Sequence, residues 1–60
     1  NEGQEFGYVL SGQVELVMGK KIYRLKSKET FYLNGARSHF IKNTGKKDAV
    51  LLWVVTPPMF

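Results

Sequence analysis

"QVELVM" at residues 13–18 sets Val14, Leu16 and Met18 on one side of an extended chain and more polar neighbours on the other. That period of two is the mark of a half-buried β-strand. "GKK" at 19–21 follows, with Gly19 free to take the positive φ of a two-residue hairpin, and the chain returns as "IYRLK". Upstream, residues 6–10 are aromatic, aliphatic or glycine until "SG" at 11–12 interrupts them. Downstream come a polar break at 27–29, "TFYL" at 30–33, a loop "NGAR" pivoting on Gly35, "SHFIKN" at 38–43, a "TGKKD" turn and "AVLLWVVT" at 49–56. Pro57 and Pro58 end any further ladder, because proline has no N–H to donate.

About seven short strands, turn signals every 8–12 residues or so, and no helical period predict an all-β sandwich or barrel. The stretch "AVLLWVV" does not alternate. It predicts a strand covered on both faces, by its own domain on one side and by another domain or subunit on the other. No internal repeat or linker divides residues 1–60, which read as one domain.

Composition narrows the function classes. A chain of 60 residues buries only about 60% of the surface its unfolded form exposes, so its core is small. With no cysteine and a single histidine, disulfides, thiolate zinc sites and His-rich centres are excluded within the chain. The lack of cysteine fits a reducing, cytoplasmic setting. An apolar fraction of 43% predicts a folded chain, and the longest apolar run falls far short of the roughly 20 residues that span a bilayer. Nine Lys and Arg against five Asp and Glu give a net charge of +4, which raises nucleic-acid binding as a class. The pattern argues against it. Lys20, Lys21, Lys46 and Lys47 sit on turn tips, and Arg24, Lys26, Lys28, Arg37 and Lys42 are scattered over several segments. No face interleaves aromatic and basic residues as a stacking platform does.

Two stretches carry chemistry. Glu5 is followed by "FGYVLS" and Gly12, and "KETFYLNGARSHFIKN" places His39 and Asn43 four residues apart. This spacing resembles the two motifs of the cupin superfamily, small jelly-roll barrels whose motifs supply metal ligands. The second motif reads G-x5-P-x-G-x2-H-x3-N, and here Lys28, Asn34 and Ala36 stand in place of its Gly, Pro and Gly. More locally, "EFGYVLSGQVEL", "YRLKSKETFYL", "HFIKNTG" and "VLLWVVTPPMF" are similar to the C-terminal cupin sensor domain of helix-turn-helix (XRE-type) bacterial transcription regulators. The resemblance implies a cupin jelly roll (a double-stranded β-helix) truncated at its N-terminal strands, with those strands and a DNA-binding domain lying upstream.

It also implies a site. The ligand pocket expected inside the barrel draws on Glu5, Tyr8, Phe31, His39, Phe40 and Trp53. Family metal sites combine an H-x-H pair with the motif-one Glu and the motif-two His, a set suited to iron, manganese, nickel or zinc. Glu5 and His39 would be the metal residues of this chain, an incomplete set because Asn1 stands where the second His of the pair belongs. No cofactor is therefore certain, and a divalent metal is the one the family implies. His39 otherwise bonds a neighbour such as Glu5 or Tyr8 inside the barrel. With no cysteine and no Ser-His-Asp arrangement, catalysis is not expected. The expectation is an effector-sensing, dimerising domain that binds a small molecule, forms a homodimer, and meets DNA only through the upstream domain. The alternative is a stand-alone cupin with a metal-dependent activity such as a dioxygenase, isomerase or lyase.

Overall fold

A computed structural model describes residues 3–34 and 38–56. The expectations for Asn1, Gly35, Ala36, Arg37, Pro57 and Pro58 lie outside the described residues. Six strands occupy the described chain: β1 (Gln4–Ser11), β2 (Gln13–Met18), β3 (Lys21–Lys26), β4 (Thr30–Asn34), β5 (His39–Lys42) and β6 (Val50–Thr56). Two antiparallel sheets result, ordered β4-β1-β6 and β3-β2-β5. Consecutive strands pair only in the β2–β3 hairpin, where Met18 opposes Lys21 across Gly19 and Lys20. Gly19 has φ 59° there, as the turn signal predicts.

Every other connection carries the chain from one sheet to the opposite one. The tightest is the corner at Gly12, which separates β1 from β2 by one residue. Its φ is 81°, and a side chain at this position would come within 2.9 Å of backbone atoms of Asp48 and Ala49. Between β3 and β4, the Lys28 N–H donates to the Val9 carbonyl at 2.7 Å and the Val9 N–H donates to the Glu29 carbonyl at 2.9 Å. These bonds tie the crossing connection to the middle strand of the first sheet.

The sheets face each other through alternate residues of every strand. Val9, Val14, Leu16, Phe31 and Leu33 are buried between them, with Met18, Leu25, Ile41 and Leu51 packed around the cluster of Leu16, Phe31 and Leu33. The result is the all-β arrangement that the strand pattern predicts, consistent with the jelly roll that the resemblance implies. The apolar segment of β6 behaves differently on its two sides. Leu51 and Val55 turn inward and are half-buried, whereas Val50, Leu52 and Val54 stand on the outer face and remain exposed.

Candidate functional site

The site begins with a missing side chain. Gly7, in the middle of β1, is opposed by Phe31 of β4 on one side and Trp53 of β6 on the other. The Phe31 ring lies directly over the Gly7 α-carbon, in the space that any β-carbon would need. With the strand surface cleared, Phe31 and Trp53 meet edge to face above it, ring centroids 5.7 Å apart and planes at 87°. That geometry sets the positive edge of one ring against the negative face of the other.

Two residues earlier on the same face of β1 stands Glu5. The Trp53 indole N–H donates to its Oε1 at 2.9 Å. His39, at the start of β5 on the opposite sheet, places Nε2 3.2 Å from the same oxygen. An ionised carboxylate only accepts, so with Glu5 charged this contact puts a proton on Nε2. Both side chains are well shielded, Glu5 at 19% exposure and His39 at 14%. One carboxylate oxygen thus joins β1, β5 and β6 across the gap between the sheets.

Beside this cluster the sandwich opens. A cavity of about 460 Å³ runs between β2–β3 and β4, walled by Leu16, Met18, Tyr23, Leu25, Phe31 and Leu33, with Thr30 and Asn34 as polar members. Among the described residues, no charged side chain lines it. Phe31 belongs to both places: one side of the ring walls the cavity and its partner Trp53 reaches the carboxylate.

Of the residues expected around a pocket, Glu5, Phe31, His39 and Trp53 share the inward side of the sheets, Trp53 at its rim with 42% exposure. Tyr8 and Phe40 do not. Tyr8 lies between the buried Gly7 and Val9 and opposes the exposed Thr30 and Leu52, so it occupies the outer face of its sheet. Phe40 follows the inward His39 by one residue and is 55% exposed beside Val17. Strand parity decides both, because adjacent side chains point to opposite faces. The sequence reading did not place Gly7, Met18 or Leu33 at the site. Counting in twos from Glu5 and from Leu16 would have found Gly7 and Met18.

Residues 1–55 match the family model of the cupin domain. The chain belongs to the cupin family. No curated protein and no solved structure matches it significantly.

Cupin motif positions have structural reasons here. Gly12 ends motif one at the positive-φ corner already described. Lys28, standing where motif two has Gly, takes φ 74°, a left-handed conformation that side chains disfavour. Asn43 shapes the β5–β6 loop: its Oδ1 accepts from the Gly45 N–H at 2.9 Å and its Nδ2 donates to the Lys47 carbonyl at 2.8 Å. The metal-ligand positions are less complete. Glu5 and His39 come together, but no group of three metal-ligating side chains forms among the described residues. Glu5 Oε1 is already shared by two hydrogen-bond partners. A tight transition-metal site needs at least one more donor than this pair supplies, so the described residues do not by themselves fit the family metal.

Proposed function

We propose that this cupin domain is the effector-sensing and dimerising part of a bacterial DNA-binding transcription regulator, and that it binds a small molecule rather than turning one over. The observation that carries the reading is the composition of the interior. A polar cluster, Glu5 with His39 and Trp53, adjoins an apolar cavity that has no charged lining among the described residues. Small-molecule sites are built this way, with a mostly apolar wall giving affinity and a few convergent polar groups fixing orientation. The ligand's apolar part would rest against Phe31, Leu33 and Met18, and a donor group on it would reach the Glu5 carboxylate. For the signal to travel, the effector must bind two dimer geometries with different affinity.

The regulator context rests on the local likeness of "EFGYVLSGQVEL" and "VLLWVVTPPMF" to sensor cupins. Its test is DNA binding by the full gene product. Footprinting is expected to show protection of a site with two-fold symmetry, altered by the effector. A full-length product with no helix-turn-helix segment and no DNA protection would overturn it. The pairing of Glu5 with His39 favours, as a second reading, a metal-dependent enzyme in which residues outside the described set complete the ligands. Elemental analysis separates the two: stoichiometric iron, manganese, nickel or zinc in the purified full-length protein supports the enzyme, and its absence supports the sensor.

A further inference from the structure

The two sheets differ in what they turn outward. Among the described residues, the outer face of the β4-β1-β6 sheet carries no charge at any outward position, and Phe6, Tyr32, Leu52 and Val54 stand exposed there. The outer face of the β3-β2-β5 sheet is divided into rows. At one end Ile22, Val17 and Phe40 oppose one another across the three strands, with Ile22 and Phe40 each more than half exposed. The next row is Arg24, Glu15 and Lys42, and beyond it Lys26 stands beside Gln13. Rows recur at every second residue, about 7 Å apart.

The middle row is layered. The Arg24 Nε–H donates to Glu15 Oε2 at 3.3 Å, and the carboxylate lies beneath, since the Glu15 side chain keeps 13% exposure and that of Arg24 keeps 85%. This bond takes Nε and leaves Nη1 and Nη2 without a partner among the described residues. That pair of donors matches a carboxylate bidentately. Lys26 and Lys42 form no ion pair among the described residues, so three cations are presented against one covered anion. At the cationic end lies a groove of about 360 Å³ lined by Gln13, Glu15, Arg24, Leu25, Lys26 and Thr44.

We propose that this face docks an extended acidic segment of a partner protein. Its bulky aliphatic residue rests on Ile22, Val17 and Phe40, and carboxylates two and four residues further on meet Arg24 with Lys42 and then Lys26. This goes beyond the proposed function and does not depend on effector binding. Side chains on one side of an extended chain also recur about every 7 Å, so a single segment meets the apolar row and the two cationic rows in register. Charge selects the occupant. A second copy turned face to face would set Arg24, Lys26 and Lys42 against cations of the same patch. A single-stranded nucleic acid would satisfy the cations, but its platforms stack successive bases on several aromatic rings. Phe40 is the one aromatic ring among the described outward residues of this sheet, and Ile22 and Val17 match an aliphatic side chain instead.

Size sets the strength. Three rows over three strands cover about 14 Å by about 10 Å. That is far below the roughly 800 Å² per partner of a standard interface, so a short segment should bind with a dissociation constant on the order of 100 μM.

The test is a titration of the ¹⁵N-labelled 60-residue chain, followed by amide NMR shifts, with the acetylated and amidated peptide Leu-Ser-Glu-Ser-Glu. Saturable shifts are expected at the amides of Val17, Ile22, Arg24 and Lys42, with Val9 and Leu52 of the other sheet unmoved. Arg24→Ala removes the presented guanidinium and uncovers Glu15, and should weaken binding about fivefold. Lys42→Ala carries the same expectation and serves as the second variant should the first disturb the fold. Lys46→Ala removes an equal charge from the loop between β5 and β6 and should leave the affinity within about twofold, because exposed charges beyond a Debye length are screened. No shift at about 1 mM peptide overturns the proposal. Equal binding of Leu-Ser-Lys-Ser-Lys reduces the contact to its apolar row, and equal weakening by Lys46→Ala reduces it to net charge; either result overturns the proposal. Binding of oligothymidylate or of phosphatidylglycerol vesicles at the same amides, with none of the acidic peptide, would assign the face to a nucleic acid or a membrane and would also overturn it.

Discussion

At single positions, backbone conformation and the space over a strand decide more than side-chain character. Lys28 holds φ 74° at a motif position where cupins place glycine. A side chain in the left-handed region costs about 1 kcal/mol, so Lys28→Gly should raise the melting temperature by about 4–8 °C in a domain of this size. An unchanged or lower melting temperature would contradict the strain argument. Gly7 is the reverse case. Gly7→Ala drives a methyl group into the Phe31 ring, an overpacking that costs typically 1–3 kcal/mol, and calorimetry should show the loss. Trp53→Phe keeps an aromatic ring against Phe31 but removes the N–H that reaches Glu5. It should leave the fold intact, as judged by circular dichroism, while weakening any ligand held through the carboxylate. At these positions the sequence was partly legible. The spacing of Glu5, Gly12, His39 and Asn43 identified the motif residues. The need for Gly7 was hidden, because it arises from strands about 24 and 46 positions away that meet only in the fold.

Among elements, alternation in "QVELVM" and the turn signals between apolar stretches placed the strands to within a residue or two, since a half-buried strand shows one apolar face and turn residues mark its ends. What alternation could not supply was partnership. Nothing local says that β1 pairs with β4 and β6 while β2 pairs with β3 and β5, and aromatic identity misled where parity should have ruled, at Tyr8 and Phe40. The unpatterned "AVLLWVV" was read as covered on both faces. Within the chain β6 is covered on one. The topology makes β1 and β2 the middle strands of their sheets, with β3, β4, β5 and β6 as edges. Amide exchange should therefore be slowest at Val9 and from Val14 to Leu16 and fastest in the four-residue β5, because edge strands open without disrupting a second ladder. Equal protection in β5 and β2 would contradict the sheet order.

For the molecule as a whole, a core of five buried apolar side chains among the described residues is small, and the two features it leaves open match the two halves of the proposed function. One is the cavity beside Glu5, His39 and Trp53, and the other is the neutral outer face of the β4-β1-β6 sheet. Composition excluded disulfide scaffolds and the scatter of basic residues argued against a nucleic-acid platform, but the whereabouts of charge, and hence the neutral face, became legible only once strand pairing was known. The central claim is that the interior takes a small organic molecule through Glu5 rather than a metal ion. Trp53, the single tryptophan, donates its indole N–H to Glu5, so its fluorescence reports on that carboxylate directly. The decisive measurement is a fluorescence titration of the chain and of Glu5→Ala with a panel of amine, hydroxyl and carboxylate metabolites and, separately, with Fe²⁺, Mn²⁺, Ni²⁺ and Zn²⁺. The account predicts a saturable change with an organic compound that Glu5→Ala abolishes, and none with the metals at micromolar concentration. A tight, saturable, Glu5-dependent response to a metal, with none to any organic compound, would contradict it.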